Sequence, residues 1–92
     1  MIDKFLGDLI GEIYKVLPLK EEKNAFLVDY IDSLLIQLKG ATITYPELSS
    51  NSKYTSVINS IQYFHDNDFT ERQCKREVFR CINIIQKIQC EV

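Results

Sequence analysis

Apolar residues recur along the chain at the alternating steps of three and four that place them on one face of an α-helix. The C-terminal stretch is the most regular. It starts with a capping box, in which Thr70 is the expected N-cap and Gln73 follows three residues later. The stripe that follows consists of Cys74, Val78, Cys81, Ile85, Ile88 and Val92. This pattern predicts a core-facing helix over about residues 70–90, around which the other helices pack.

The same spacing predicts three further helices. The first covers about residues 2–17 and is expected to end at Pro18, because the residue before a proline is pushed out of the α region. The second covers about 20–39 and is expected to end with Gly40 as the residue after the cap. The third covers about 52–66, where weak helix formers depend on packing to hold the helix.

One longer connection, residues 40–50, separates the second and third predicted helices. Within it Thr44 and Glu47 have the spacing of a capping box, so a helical turn is plausible there. Tyr45 and Leu48 are expected to pack against the bundle and hold this connection in place.

The composition agrees with a helical globule. Hydrophobic residues make up 46% and charged residues 26% of the 92 residues, as in an ordinary globular domain. Two prolines and three glycines are too few for the many tight turns of an all-β fold. The short links favour antiparallel neighbours. We therefore predict a single all-α domain over residues 1–92, folded as an antiparallel four-helix bundle.

The net charge, the apolar runs and the number of cysteines argue against several classes of protein. The formal net charge of −2 argues against a dedicated nucleic-acid binder, which is usually basic. No apolar run reaches the roughly 18 residues of a membrane span, and the charges within residues 2–17 do not fit a signal peptide. The three cysteines are odd in number and lack C-x-x-C spacing, which argues against a disulfide framework or a zinc site. We expect a cytoplasmic, bacterial protein.

Motifs for catalysis are lacking in the sequence. His65 is the only histidine, and we expect it at the edge of the core, since a Cys–His pair would need a thiol that the helix pattern instead buries. No glycine-rich phosphate loop or metal-ligand cluster is found. We predict no enzymatic activity, no cofactor and no metal.

The outward faces of the predicted helices supply the candidate binding residues. Asp29, Asp32 and Ile36 share the outer face of the second helix. Tyr63, Asp66 and Asp68 lie near the end of the third helix. We predict that these six residues contact a protein partner, with an ordinary solvated face as the simpler interpretation.

An alternative face lies on the last helix. It carries Arg72, Lys75, Arg76, Phe79 and Arg80. The cations could meet phosphates while the aromatic ring stacks, so a nucleic-acid-associated regulator is the alternative function. The acidic balance of the whole chain and the lack of a helix-turn-helix glycine argue against it.

A third hypothesis is self-association as a structural or adaptor protein. Gly7, Gly11 and Tyr14 form one edge of the first helix. This edge, Phe79 and Ile36 are apolar or small features outside the predicted core stripes. If two or more of these features adjoin, the exposed patch would favour a homodimer.

The layout of four helices in fewer than 100 residues resembles the small cytosolic immunity proteins that protect bacteria from bacteriocins or from toxins delivered by contact. The most similar stretch is residues 57–64, continuing through Asp68, Phe69 and Thr70 into the last helix. The resemblance implies a non-catalytic helical bundle that binds and occludes a cognate toxin. It assigns no individual binding residue.

Overall fold

The computed structural model describes residues 2–91, within which six α-helices follow one another. They are α1 (Ile2–Tyr14), α2 (Val16–Glu21), α3 (Leu27–Thr44), α4 (Pro46–Ser49), α5 (Ser52–Asp66) and α6 (Glu71–Glu91). The all-α prediction is confirmed. The first two helices together form one rod of a four-helix bundle, and α3, α5 and α6 form the other three, while α4 is a single turn.

Contacts between the helices show an antiparallel arrangement. On α5 and α6, Lys53 pairs with Glu91 while Ser60, further along α5, meets Arg80, earlier in α6. α6 packs against α1, α2 and α5, and α5 lies between α6 and α3. The last helix is therefore the one that most of the bundle contacts, as the sequence pattern predicts.

The core consists of the predicted apolar stripes. The buried apolar residues of all six helices form one cluster. The stripe of α6 is confirmed for five of its members, which are Cys74, Val78, Cys81, Ile85 and Ile88. The sixth, Val92, lies outside the described residues.

The prediction that Pro18 ends the first helix is wrong. α1 ends at Tyr14, and Lys15 forms a turn with φ −62° and ψ −16°. α2 then carries the proline within its first turn and runs to Glu21. Proline has no amide hydrogen to donate to the carbonyl four residues earlier, and its ring crowds that carbonyl. The break between the two helices therefore falls before the proline. Pro18 then lies in the first turn of α2, where the amide groups have no partner within the helix and the missing donor costs no hydrogen bond.

The second predicted helix is displaced towards the C-terminus at its start. Residues 22–26 form the connection between α2 and α3. Lys23 adopts a positive φ of 51°, and the Asn24 side-chain oxygen accepts a hydrogen bond of 2.8 Å from the Phe26 amide. The start of this helix near residue 20 is thus corrected to Leu27.

The end of this helix is also corrected. α3 continues through Gly40, whose φ is not positive, to Thr44. Ala41, the next residue, is buried against the core, so packing offsets the roughly 1 kcal/mol that a glycine costs within a helix. The long connection predicted over 40–50 is therefore mostly helical.

The predicted helical turn in that connection is confirmed as α4. Leu48 is buried and the ring of Tyr45 packs against that of Phe5, with 5.5 Å between the centroids, so both residues pin the segment as expected. The capping box of Thr44 and Glu47 is not formed, because Thr44 belongs to α3 and the cap position of α4 is Tyr45.

The starts of α5 and α6 follow local sequence signals. Asn51 caps α5, since its side-chain oxygen accepts from the amides of Lys53 and Tyr54. The predicted capping box of α6 is confirmed. The Gln73 amide donates to the Thr70 hydroxyl at 3.1 Å, and the Thr70 amide donates to the Gln73 side chain at 2.9 Å.

Between residues 2 and 91, no helix combines the length and the apolar character needed to cross a membrane.

Candidate functional site

The most exposed large apolar side chains belong to α3 and to the residue just before it. Phe26, Val28, Ile36 and Ile43 are 71%, 64%, 66% and 83% exposed. At 100° per residue, Ile36 and Ile43 lie about 80° and about 60° round the helix from Val28. Three apolar side chains therefore form an outward stripe about 22 Å long, at about 1.5 Å per residue.

Two carboxylates interrupt this stripe. Asp29 and Asp32 are exposed and fall on the same arc of α3 as Ile36. We call the surface formed by Val28, Asp29, Asp32, Ile36 and Ile43 the acidic-apolar face. Three of its members were predicted from the sequence. The other two were missed. Val28 lies within the predicted helix, one i,i+4 step before Asp32, so its spacing could have identified it. Ile43 lies beyond the predicted end of that helix.

His65 connects the acidic-apolar face to the end of α5. Its Nε2 lies 3.4 Å from a carboxylate oxygen of Asp32, and its Nδ1 lies 2.8 Å from one of Asp66. The hydrogen bonds from His65 and then from Gln62 hold the pKa of Asp66 below its usual value. The His65 side chain is 34% exposed and bridges two surface carboxylates. The predicted residues Asp32 and Asp66 are thus brought together across two helices.

Asp68 lies at the same end of the bundle. It borders a cleft of about 420 Å³ together with Asp66 and Val28. The turn that links α5 to α6 places this carboxylate beside the start of α3. Five of the six predicted partner-binding residues therefore lie on α3, at the end of α5 or in the turn after α5.

Tyr63 does not join them, which corrects the predicted grouping. It borders a smaller cavity of about 230 Å³ between α5 and α6, beside Gln73, Arg76 and Glu77. The reason is helical phase, since Tyr63 lies about 160° round α5 from His65, the residue that meets α3.

The alternative basic face is divided by an acidic residue. Glu77 pairs with Arg76 at 3.5 Å and with Arg80 at 3.1 Å. Arg80 also donates to Ser56 and Ser60, so it ties α6 to α5. A guanidinium held in this way is less available to phosphate, which weakens the nucleic-acid hypothesis.

The remaining cations of that face lie towards the end of α2. Arg72 and Lys75 border a cavity of about 320 Å³ whose lining includes Glu21 and Glu71. The five residues predicted as one basic face are therefore mixed with carboxylates that come from both α6 and α2.

Phe79 lies against α1, whereas Arg80 is tied to α5. Its ring meets that of Tyr14 edge to face, with centroids 6.4 Å apart, and the two side chains are 43% and 52% exposed. A Cβ on Gly11 would meet no atom within 4 Å, so the α1 edge beside the aromatic pair is open. Two of the features named for self-association adjoin, while Ile36 lies apart on α3.

A homodimer built on this aromatic edge is expected to dissociate when Phe79 is replaced by glutamate. The new charge would be buried in the contact, whereas the monomer core would be untouched because Phe79 is already half exposed. Light scattering reports the mass, and circular dichroism reports helicity, which should not change. A monomeric wild type would remove the dimer hypothesis, and an unchanged dimer mass would remove Phe79 from the interface.

The cysteine thiols are placed for packing. Cys74 and Cys81 are buried, and burial raises the pKa of each thiol to about 11, so the reactive thiolate is disfavoured. Cys90 is exposed near the end of α6. Within residues 2–91, no group of three or more histidine, cysteine, aspartate and glutamate side chains is arranged to hold a metal ion.

Comparisons with protein-family models, with curated proteins and with solved structures find no match to this chain. The surfaces described above are therefore the features of the molecule that bear on its function. Among them, the acidic-apolar face has the largest number of exposed apolar side chains.

Proposed function

We propose that this chain is a non-catalytic protein-binding module that neutralises a bacterial toxin by covering it, as an immunity protein does. The observation that carries the proposal is the acidic-apolar face of α3. The proposal implies a cytoplasmic protein with a cognate toxin as its partner.

The composition of the face supports recognition of another protein. Interfaces combine apolar anchors at their centre with a polar rim, and a few anchors supply most of the binding energy. Val28, Ile36 and Ile43 are the anchors here, and Asp29 and Asp32 are the charged groups beside them. Covering one such apolar side chain contributes roughly 1.5–3 kcal/mol before the cost of association is deducted.

The arrangement of charge favours a basic partner surface. Four carboxylates lie at one end of the face. They are Asp29 and Asp32 on α3, Asp66 at the end of α5 and Asp68 in the turn to α6. Lys39 lies further along α3, where it donates to Gln62 of α5 at 3.1 Å. A partner whose cations meet the acidic end would associate faster and in one orientation.

Co-expression with the product of the adjacent gene tests the proposal. We expect the neighbour to be toxic when expressed alone, the present chain to restore growth, and the two proteins to purify together in equal amounts. A neighbour that is harmless alone, or toxicity that persists without a complex, would contradict the proposed function.

A further inference from the structure

The acidic end of the acidic-apolar face opens into a cleft with apolar walls. The cleft has a volume of about 420 Å³ and lies between the start of α3, the end of α5 and the turn into α6. Its apolar walls come from Leu27, Val28, Ile31, Phe64 and Phe69. Asp66 and Asp68 stand at its lip. We call this feature the end cleft.

A cation of the chain itself already lies at the aromatic wall. The Lys20 ammonium is 4.4 Å from the centroid of the Phe69 ring. That ring stacks on Phe64, with 4.3 Å between the centroids. Attraction between a cation and an aromatic face is electrostatic and grows as water is excluded. The wall of the end cleft thus has the chemistry to hold a positive group.

The two carboxylates at the lip differ in their partners. Asp66 accepts hydrogen bonds from Gln62 at both oxygens and contacts His65, so most of its acceptor positions are used. Across residues 2–91, no salt bridge involves Asp68. Asp68 is therefore the carboxylate better able to receive a new cation.

We propose that the end cleft binds an arginine side chain of the protein that docks on the acidic-apolar face. This inference depends on the proposed function for the identity of the partner. The planar guanidinium stacks on an aromatic or apolar wall and forms a bidentate pair with a carboxylate. Its aliphatic stem packs against Leu27 and Val28. A lysine ammonium is a more strongly hydrated point charge and lacks the planar fit.

Lys20 is an internal competitor for this site. Its ammonium occupies the aromatic wall and repels an incoming guanidinium. Removing the charge by Lys20→Gln should therefore increase the affinity for arginine. Removing the lip charge by Asp68→Asn should decrease it. The two substitutions change the affinity in opposite directions, which a general loss of folding would not do.

The test uses N-acetyl-arginine amide as the probe and N-acetyl-citrulline amide as its neutral isostere. Amide shifts of the isotope-labelled full chain are followed by NMR in each titration. We expect saturable shifts at Val28, Asp68 and Phe69 with arginine, with a dissociation constant on the order of 1–10 mM because one side chain makes few contacts. Citrulline should bind several-fold more weakly. Asp8→Asn, which removes an exposed charge on α1, is the matched control and should change nothing.

Shifts that do not saturate, that citrulline reproduces, or that fall on α6 would overturn the arginine site. The co-expression experiment separates this outcome from failure of the proposed function. Growth restored by a chain that does not bind the arginine probe would overturn the cleft assignment alone. Saturable arginine binding by a chain that restores no growth would overturn the proposed function.

Discussion

Replacing Ile85 with alanine is expected to lower the free energy of unfolding by about 3 kcal/mol. Ile85 is fully buried on α6, the helix that packs against α1, α2 and α5. Truncation removes apolar burial and leaves a cavity that the surrounding helices fill only in part. A domain of this size has only about 5–10 kcal/mol of total stability, so the loss should be a large fraction of it.

Ile36→Ala is the matched control for this prediction. The same substitution on α3 removes a side chain that is 66% exposed, so the expected change is within about 0.5 kcal/mol. Urea unfolding followed by circular dichroism measures both variants. The midpoint should fall for Ile85→Ala at an unchanged slope. Equal losses for the two variants would show that Ile36 is covered in solution.

Replacing Ile36 with glutamate is expected to remove toxin neutralisation while leaving the fold intact. The side chain is exposed in the free protein, so a charge there costs the monomer little. In a complex it would bury a carboxylate among apolar anchors, at a cost of at least about 2 kcal/mol of binding free energy. That cost raises the dissociation constant about thirty-fold or more.

Gln37→Glu provides the charge-matched control. It adds the same negative charge to the exposed surface of α3, about 100° round the helix from Ile36. Growth in the co-expression assay should be lost for Ile36→Glu and kept for Gln37→Glu. Retained growth for Ile36→Glu would exclude the centre of the acidic-apolar face from the binding site. Loss for both would assign the effect to charge alone.

Local information in the sequence determined the class of the elements and the composition of the core. The stripe from Cys74 to Ile88 fixes one face of α6 whatever its neighbours are, because helical phase depends only on residue spacing. The capping box of Thr70 and Gln73 fixes the start of the same helix through hydrogen bonds within four residues. Such features need no knowledge of the rest of the chain.

The positions of the helix boundaries depended on both local sequence and tertiary packing. The interruption before Pro18 is a local effect, but its position and the restart of α2 depend on burial of Val16 in the core. The passage of α3 through Gly40 depends on the burial of Ala41, since propensity alone favours a stop there. Helix propensities are small compared with the free energy of core packing. Where the two disagree, tertiary contacts therefore determine where a helix ends.

Only the tertiary structure decided which surfaces the candidate residues share. Helical phase shows that Tyr63 points away from the core, yet not that its neighbour is α6, nor that Arg80 reaches Ser60 on α5. The meeting of Asp32 with Asp66 through His65 joins residues more than thirty positions apart. A periodic pattern gives the angle of a side chain about its own helix axis. Which helix lies opposite that side chain depends on how all the apolar stripes are buried together, and therefore on the whole chain.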